Sequence, residues 1–294
     1  MAEQSQIDQL QQLITDEIFK AMGWVERGMG RKLFNPLFTK ATRHFSELFA
    51  GLEEQLAQYG LPQAASWLLP NFVQGCKIGG SENIPQKGPL VIACNHPGAV
   101  DSVLVAANAG RQDLKIIGGD IPFLVHLPNV SRHMIYTSYT DMHVRMAVVR
   151  QSIRHLQEDG SLLLFARTTT EPDPAVMPGA LAELEHWSRS LEVFLERVPD
   201  TRVVVAIVSG VLRPESLRHP FTWLRRKTRV DYQRLAMFIQ IIQQMVLGQN
   251  FALVPKLTFG PMLDAKTLRR DGRPLQNIIA CAKQLMQEHL VGQV

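Results

Sequence analysis

The stretch 90–101, with the sequence LVIACNHPGAVD, constrains the fold more than any other part of the chain. An apolar run ends abruptly at Asn95 and His96, and a Pro-Gly turn follows. A short apolar run bounded by turn residues predicts a buried strand, and residues 99–109 predict a helix that ends at a glycine. His96 is therefore expected where a strand turns into a helix, at the edge of an α/β sheet that commonly binds ligands.

Asp101 follows His96 by five positions, across the predicted turn. A histidine that an aspartate orients is the general-base half of a catalytic triad, and no serine accompanies it here. None of the other histidines has an aspartate five residues later. The alternative is structural: Asp101 caps the helix, and the backbone satisfies His96. The pattern indicates a base acting on a hydroxyl that the substrate brings.

Apolar runs alternate with helical patterns along the rest of the chain. The predicted strands are 90–94, 114–117, 134–137, 161–165, 203–208 and 254–259, and the predicted helices are 99–109, 141–158, 179–197, 233–247 and 274–290. The alternation predicts an α/β fold with a central, mostly parallel mixed sheet flanked by helices. Residues 1–72 are expected to form an N-terminal helical segment, and residues 73–294 an α/β domain.

Composition limits the classes of protein to which the chain could belong. A hydrophobic content of 46% supports a large core, and the net charge of +4 permits an anionic partner without indicating nucleic acid. The cysteines lack metal-ligand spacing, so they do not indicate a metal site. With scattered cysteines, no secretory signal and no apolar run long enough to span a bilayer, the expected location is cytoplasmic, at the inner face of the cell membrane.

Over about residues 78–260 the motifs resemble the glycerol-3-phosphate and lysophosphatidate acyltransferases. The resemblance rests on Gly80-Ser-Glu-Asn-Ile-Pro85, on the Asn95-His96-x4-Asp101 block, on Gly160-Ser-Leu-Leu-Leu-Phe165 and on Val203-Val-Val-Ala-Ile207. It implies a glycerol-3-phosphate acyltransferase-like fold. The implied activity is that of an O-acyltransferase of phospholipid biosynthesis, which moves a fatty acyl group from acyl-CoA or acyl-carrier protein to a glycerophosphate or lysophospholipid-type hydroxyl.

The resemblance assigns His96 as the base and Asp101 as its orienting partner. Asn95 and Gly98 are expected to bind substrate, with free N–H groups near Gly98 stabilising the oxyanion. The acyl donor is a cosubstrate, and no cofactor is needed.

Two family blocks are altered. The second normally ends in an arginine that binds acceptor phosphate, but the run here ends at Ser138. The third normally reads Phe-Pro-Glu-Gly-Thr, and here Arg167 and Thr168 stand at the Glu and Gly positions. We expect Arg167 and Thr168 to contact the acceptor, with Arg132 and Arg145 as candidates to compensate for the missing arginine. Glu171 is interpreted as a loop carboxylate that could instead replace the lost glutamate.

Basic residues and aromatics alternate in the segment 213–229. Such a segment suits an anionic membrane surface or the phosphates of CoA, and a solvated loop has the same composition. Its members are Arg213, Arg218, Phe221, Trp223, Arg225, Arg226, Lys227 and Arg229.

Three alternatives to glycerophosphate acylation stay open. The chain could be an impaired family member that only binds lipid or acyl groups, it could acylate a different acceptor, or it could hydrolyse the thioester with water. An intact histidine–aspartate pair argues against the binding protein, which needs no base.

Overall fold

The computed structural model describes residues 2–22, 28–138, 140–167, 169–225, 227–270 and 272–291. Its sheet has seven strands: β1 (Lys77–Gly79), β2 (Leu90–Cys94), β3 (Leu114–Gly119), β4 (Met134–Thr137), β5 (Ser161–Phe165), β6 (Arg202–Ser209) and β7 (Lys256–Asp264). They lie in the order β1-β7-β6-β2-β5-β3-β4. The strands from β6 to β4 are parallel to one another, whereas β7 runs antiparallel to β6. The predicted mostly parallel mixed sheet is confirmed.

Helices cover both faces of this sheet. They are α1 (Ala2–Met22), α2 (Gly28–Tyr59), α3 (Leu61–Leu68), α4 (Asp101–Asn108), α5 (Pro122–Val125), α6 (Pro128–Arg132), α7 (Met142–Gln157), α8 (Ala180–Glu183), α9 (Ser190–Arg197), α10 (Pro214–Leu217), α11 (Arg229–Leu247), α12 (Ala265–Arg269) and α13 (Pro274–Val291). Short 3-10 turns occupy Leu69–Asn71, Ser81–Asn83, Leu184–His186 and Pro220–Arg225. None of the helices described is long and apolar enough to cross a membrane.

β2 lies at the centre of the sheet because all of its residues are apolar. Its side chains alternate between the faces: Leu90 and Ile92 belong to one core, and Val91 and Ala93 to the other. The first core includes residues of α1 to α4, and the second includes residues of α7, α9 and α13. The N-terminal helices thus share a core with the sheet, and the division into 1–72 and 73–294 stays a prediction.

The predicted helix 179–197 is wrong, because the structure breaks it into α8, a 3-10 turn and α9. The break has a physical reason. Trp187 takes an extended conformation and turns its indole into the core, where Nε1 donates to Glu171. The next N–H, of Ser188, donates to the Ala166 carbonyl oxygen at 2.6 Å. A continuous helix would lose both contacts.

The loops that follow β2, β5 and β6 meet at the carboxyl edge of the sheet, because these neighbouring strands are parallel. β7 starts at this edge, since Lys256 pairs with Ser209 at the end of β6. α11 lies against the same loops: Gln233 reaches Pro97, and Gln240 reaches Val211. His96 lies within this edge.

Candidate active site

Asn95 locks the end of β2 to β6. Its side-chain amide donates to the Val208 carbonyl oxygen at 2.9 Å, and its side-chain oxygen accepts the Val208 N–H at 2.8 Å. The side chain is buried. The expectation that Asn95 binds substrate is therefore corrected: β6 occupies both ends of its amide, and the contact holds the turn that carries His96.

His96 and Asp101 form the expected pair. Asp101, the first residue of α4, is buried, and its Oδ2 lies 2.8 Å from His96 Nδ1. The His96 side chain is 29% exposed, and none of the described residues hydrogen-bonds its Nε2. The pair can therefore present Nε2 to a substrate while Asp101 holds the other ring nitrogen.

Gly98 packs tightly and has its own acceptor. Its N–H donates to Asp101 Oδ2 at 3.0 Å, so it is not the free oxyanion donor that the sequence predicted. A Cβ at this position would approach Val211 Cγ2 to 2.6 Å, which is closer than carbon atoms pack. Gly98 thus shapes the turn and helps to orient Asp101.

Glu171 holds the backbone of His96 from the loop after β5. Its Oε2 accepts the His96 N–H at 2.8 Å, and its own N–H donates to the His96 carbonyl oxygen at 2.8 Å. Its Oε1 accepts Trp187 Nε1 at 3.1 Å. The interpretation of Glu171 as an ordinary loop carboxylate is wrong, because this side chain is almost fully buried and positions His96.

Asp173 and Gln233 hold the surrounding loops. The Asp173 carboxylate accepts the N–H groups of residues 210, 211 and 212 at 2.8–3.0 Å, which ties the β5 loop to the β6 loop. Gln233 Nε2, from α11, donates to the carbonyl oxygens of Pro97 at 2.9 Å and Glu171 at 2.7 Å. Sequence reasoning missed both residues. Both are polar side chains whose partners lie far away in the sequence.

Charge around His96 favours a proton on the ring. Burial lowers the pKa of His96, but the hydrogen-bonded Asp101 carboxylate and the nearby Glu171 outweigh burial and raise it above its ordinary value. Arg234 acts in the opposite direction. Burial also raises the pKa of Glu171, although its hydrogen bonds partly oppose this. A base with a raised pKa accepts a proton more readily near neutral pH.

Two neighbours shape the surroundings of the ring. The Phe165 ring stacks on His96, with centroids 4.2 Å apart and an interplanar angle of 26°. Cys94 is buried at the end of β2, and burial together with Asp101 and Glu171 raises the pKa of its thiol well above the ordinary value. A buried thiol that resists ionisation is a poor nucleophile.

Arg167 lies beside this site but is paired. Its guanidinium forms an ion pair with Glu183 of α8, and its Nε donates to Thr169 at 3.0 Å. Arg229 Nη2 also approaches Glu183, at 3.4 Å, and donates to the Thr170 carbonyl oxygen at 2.9 Å. Two guanidinium groups thus share one carboxylate. Glu183 thus balances the charge reversal in the third block locally, and the charge of Glu171 also acts on both arginines.

The other predicted acceptor-site residues are not brought together. Arg132 is exposed, bonds Asn129 Oδ1 at 3.0 Å and precedes β4, at the edge of the sheet opposite His96. Its expected contact with the acceptor is corrected on that ground. Arg145 is exposed on the first turn of α7, at the carboxyl edge. Thr168 lies outside the described residues. Among the residues described, no cluster of histidine, cysteine or acidic side chains could hold a metal ion.

No curated protein sequence matches the chain. Among solved structures, the chain is similar to the crystal structure of the 1-acyl-sn-glycerophosphate (LPA) acyltransferase PlsC from Thermotoga maritima. The identity is 13%, the TM-score is 0.45, and the match covers 84% of this chain and 81% of that chain. The acyltransferase family model matches residues 75–182. This match confirms the resemblance seen in the motifs, and it places the acyltransferase sequence pattern on the segment that holds His96, Asp101 and Glu171.

Proposed function

We propose that the protein transfers a fatty acyl group from a thioester to a hydroxyl of an anionic lipid precursor. The observation that carries this proposal is the hydrogen bond of 2.8 Å between His96 Nδ1 and the buried Asp101 carboxylate, with the ring partly exposed and its Nε2 not hydrogen-bonded by any described residue. The acyltransferase pattern over residues 75–182 supports the reaction class. Acyl-CoA or acyl-carrier protein is the proposed donor, and no cofactor takes part.

In the proposed mechanism, His96 Nε2 removes the proton of the acceptor hydroxyl as its oxygen attacks the thioester carbonyl carbon. Asp101 holds the ring in the required tautomer and stabilises the imidazolium that forms. The tetrahedral intermediate then collapses, the carbon–sulfur bond breaks, and the imidazolium returns the proton to the leaving thiolate. The products are an ester and a free thiol, and His96 is restored to its neutral form.

The oxyanion needs donors other than Gly98, whose N–H already binds Asp101. The N–H groups of Ala99 and Val100 have no acceptor among the described residues, and they precede the first turn of α4. We assign them to the oxyanion, because unpaired N–H groups at a helix start stabilise developing negative charge.

The acceptor site differs from that of a glycerophosphate acyltransferase. Arg167 stands at the position of a glutamate and shares Glu183 with Arg229, so two guanidinium groups lie together here, and guanidinium groups suit a phosphate or carboxylate. We therefore expect an anionic acceptor, and the proposal extends to acceptors other than glycerol-3-phosphate. The predicted place of action, the inner face of the cell membrane, is part of the same proposal.

The reaction is tested by incubating the purified protein with radiolabelled palmitoyl-CoA and a panel of lysolipids and soluble hydroxyl acceptors. We expect label in an acylated acceptor, and the variant His96→Ala serves as the control for contaminating activity. Release of free palmitate without transfer would indicate a hydrolase. Binding of palmitoyl-CoA without turnover of any kind would indicate a lipid-binding protein and would contradict the proposal.

A further inference from the structure

Large apolar side chains are exposed on several separate segments at one edge of the sheet. Ile121 and Val125 follow β3, Met142 and Met146 follow β4, and Phe221 and Trp223 follow β6. These strands are parallel neighbours in one sheet, so the three segments emerge at the same carboxyl edge. We call these six residues the apolar rim. The loop of His96, after β2, leaves the sheet at the same edge.

The most exposed part of the apolar rim is also basic. Trp223 is 65% exposed and Phe221 is 56% exposed, whereas large aromatic side chains are usually well covered. Arg218 and Lys227 flank them and are exposed. No acidic residue occurs in the sequence between Glu215 and Asp231. Aromatic side chains next to positive charge match an anionic lipid interface, where the rings enter the acyl boundary and the cations meet the headgroups.

The arrangement distinguishes a bilayer from a protein partner. The rim's members come from three separate segments of the chain, which are α5, the start of α7 and the 3-10 turn Pro220–Arg225, with charged residues between them. A helix or strand of a protein partner instead binds in one continuous groove or along one sheet edge. Apolar side chains that enter the interface from several segments allow a protein to lie on a lipid surface without a spanning helix, and none of the described helices could span a membrane.

We infer that the carboxyl edge of the sheet docks on an anionic membrane through the apolar rim, so that His96 faces the lipid and the acceptor enters from the bilayer. The docking surface itself does not depend on the chemistry of His96. Only the route of the acceptor rests on the proposed function.

Vesicle sedimentation tests the surface without turnover. The full-length protein is mixed with vesicles of equal parts phosphatidylcholine and phosphatidylglycerol, and with vesicles of phosphatidylcholine alone. We expect binding to the anionic vesicles and release by high salt, because exposed basic residues act within the Debye length. Equal binding to both vesicles, or binding to neither, would overturn the inference.

Paired variants locate the contact. Phe221→Ser with Trp223→Ser, and separately Met142→Ser with Met146→Ser, are expected to weaken vesicle binding by about tenfold or more, because each removes apolar area that enters the interface. The control combines Tyr59→Ser with Met262→Ser, which are 50% and 46% exposed but lie towards the other edge. The control should bind as the parent does. Equal losses in the rim and control variants, or no loss in either, would contradict the assignment.

Lipid quenching reports the orientation directly. Brominated lipids quench a tryptophan that enters the bilayer, and Trp223→Phe should remove most of this quenching, whereas Trp67→Phe, 40% exposed on α3, should not. The same Phe221/Trp223 variant should lose transfer to an acceptor embedded in vesicles and keep transfer to a short-chain acceptor dissolved in water. Unchanged quenching in Trp223→Phe would overturn the inference even if transfer itself were observed.

Discussion

Glu171 and His96 are joined by two hydrogen bonds, one in each direction. The His96 N–H donates to the Glu171 carboxylate, and the Glu171 N–H donates to the His96 carbonyl oxygen, each at 2.8 Å. The turn that presents the imidazole is therefore fixed by a buried carboxylate from the neighbouring loop. Trp187 completes the arrangement by donating its indole N–H to the other oxygen of Glu171.

Glu171→Gln is expected to weaken transfer and to destabilise the fold. A glutamine amide can accept only one of the two hydrogen bonds, and its NH2 group then faces a buried donor, which costs on the order of 1–3 kcal/mol. Loss of the negative charge also lowers the pKa of His96, so the acidic limb of the rate profile should move to lower pH. Thermal unfolding and a pH profile of kcat/KM measure the two effects. A parent-like profile in a destabilised variant would assign Glu171 a structural role alone.

Asp101→Asn is expected to reduce transfer less than His96→Ala does, because it leaves the base in place and removes only its orientation and charge support. His96 must be neutral to act, so activity falls as the pH drops through its pKa. Asp101 raises that pKa, and its loss should therefore shift the acidic limb to lower pH. The measurement is kcat/KM against pH for both proteins. A shift to higher pH would contradict the pairing.

Residue patterns predicted best those strands in which nearly every consecutive residue is buried. β2 and β5 begin and end where they were predicted, because the buried strands of a parallel sheet are covered on both faces and read as nearly continuous apolar runs. The pairing of His96 with Asp101 was predictable because a single turn sets it. By contrast, Glu171, Asp173 and Gln233 act through partners as far as 136 residues away, and no local pattern reports such contacts.

Arg167 and Glu183 offer a test of the altered third block. Arg167→Lys should raise the KM for the acceptor with little effect on the donor, because lysine cannot reproduce a two-pronged contact, and the loss should be about 1.5–3 kcal/mol. The exchange of Arg167→Glu with Glu183→Arg keeps an ion pair and moves the positive charge, so it should fold normally and still show the higher KM. If either variant binds the acceptor as the parent does, Arg167 only holds α8 in place through Glu183 and does not contact the acceptor.

His289 lies away from the active site and makes the free energy of unfolding depend on pH. Burial lowers its pKa from 6.5 to about 4, and its ring nitrogens lie 2.7 Å from Ser209 Oγ and 2.8 Å from Thr258 Oγ1. The unfolded chain binds a proton on His289 more tightly than the folded chain does. The neutral, buried ring therefore stabilises the fold above pH 6.5, and this stabilisation is lost as the pH falls towards 4. Its size is about 3 kcal/mol. Chemical denaturation at a series of pH values should show this loss, and His289→Gln should remove most of it.

Single-turnover acyl transfer by His96→Ala tests the central claim most directly. With labelled acyl-CoA and an accepted lipid, the rate should fall by on the order of 10²–10⁴, because the variant lacks the base that removes the hydroxyl proton. Its melting temperature should stay near that of the parent, since the His96 side chain is partly exposed and its backbone contacts to Glu171 remain. A folded His96→Ala protein that transfers the acyl group at the parent rate would contradict the account.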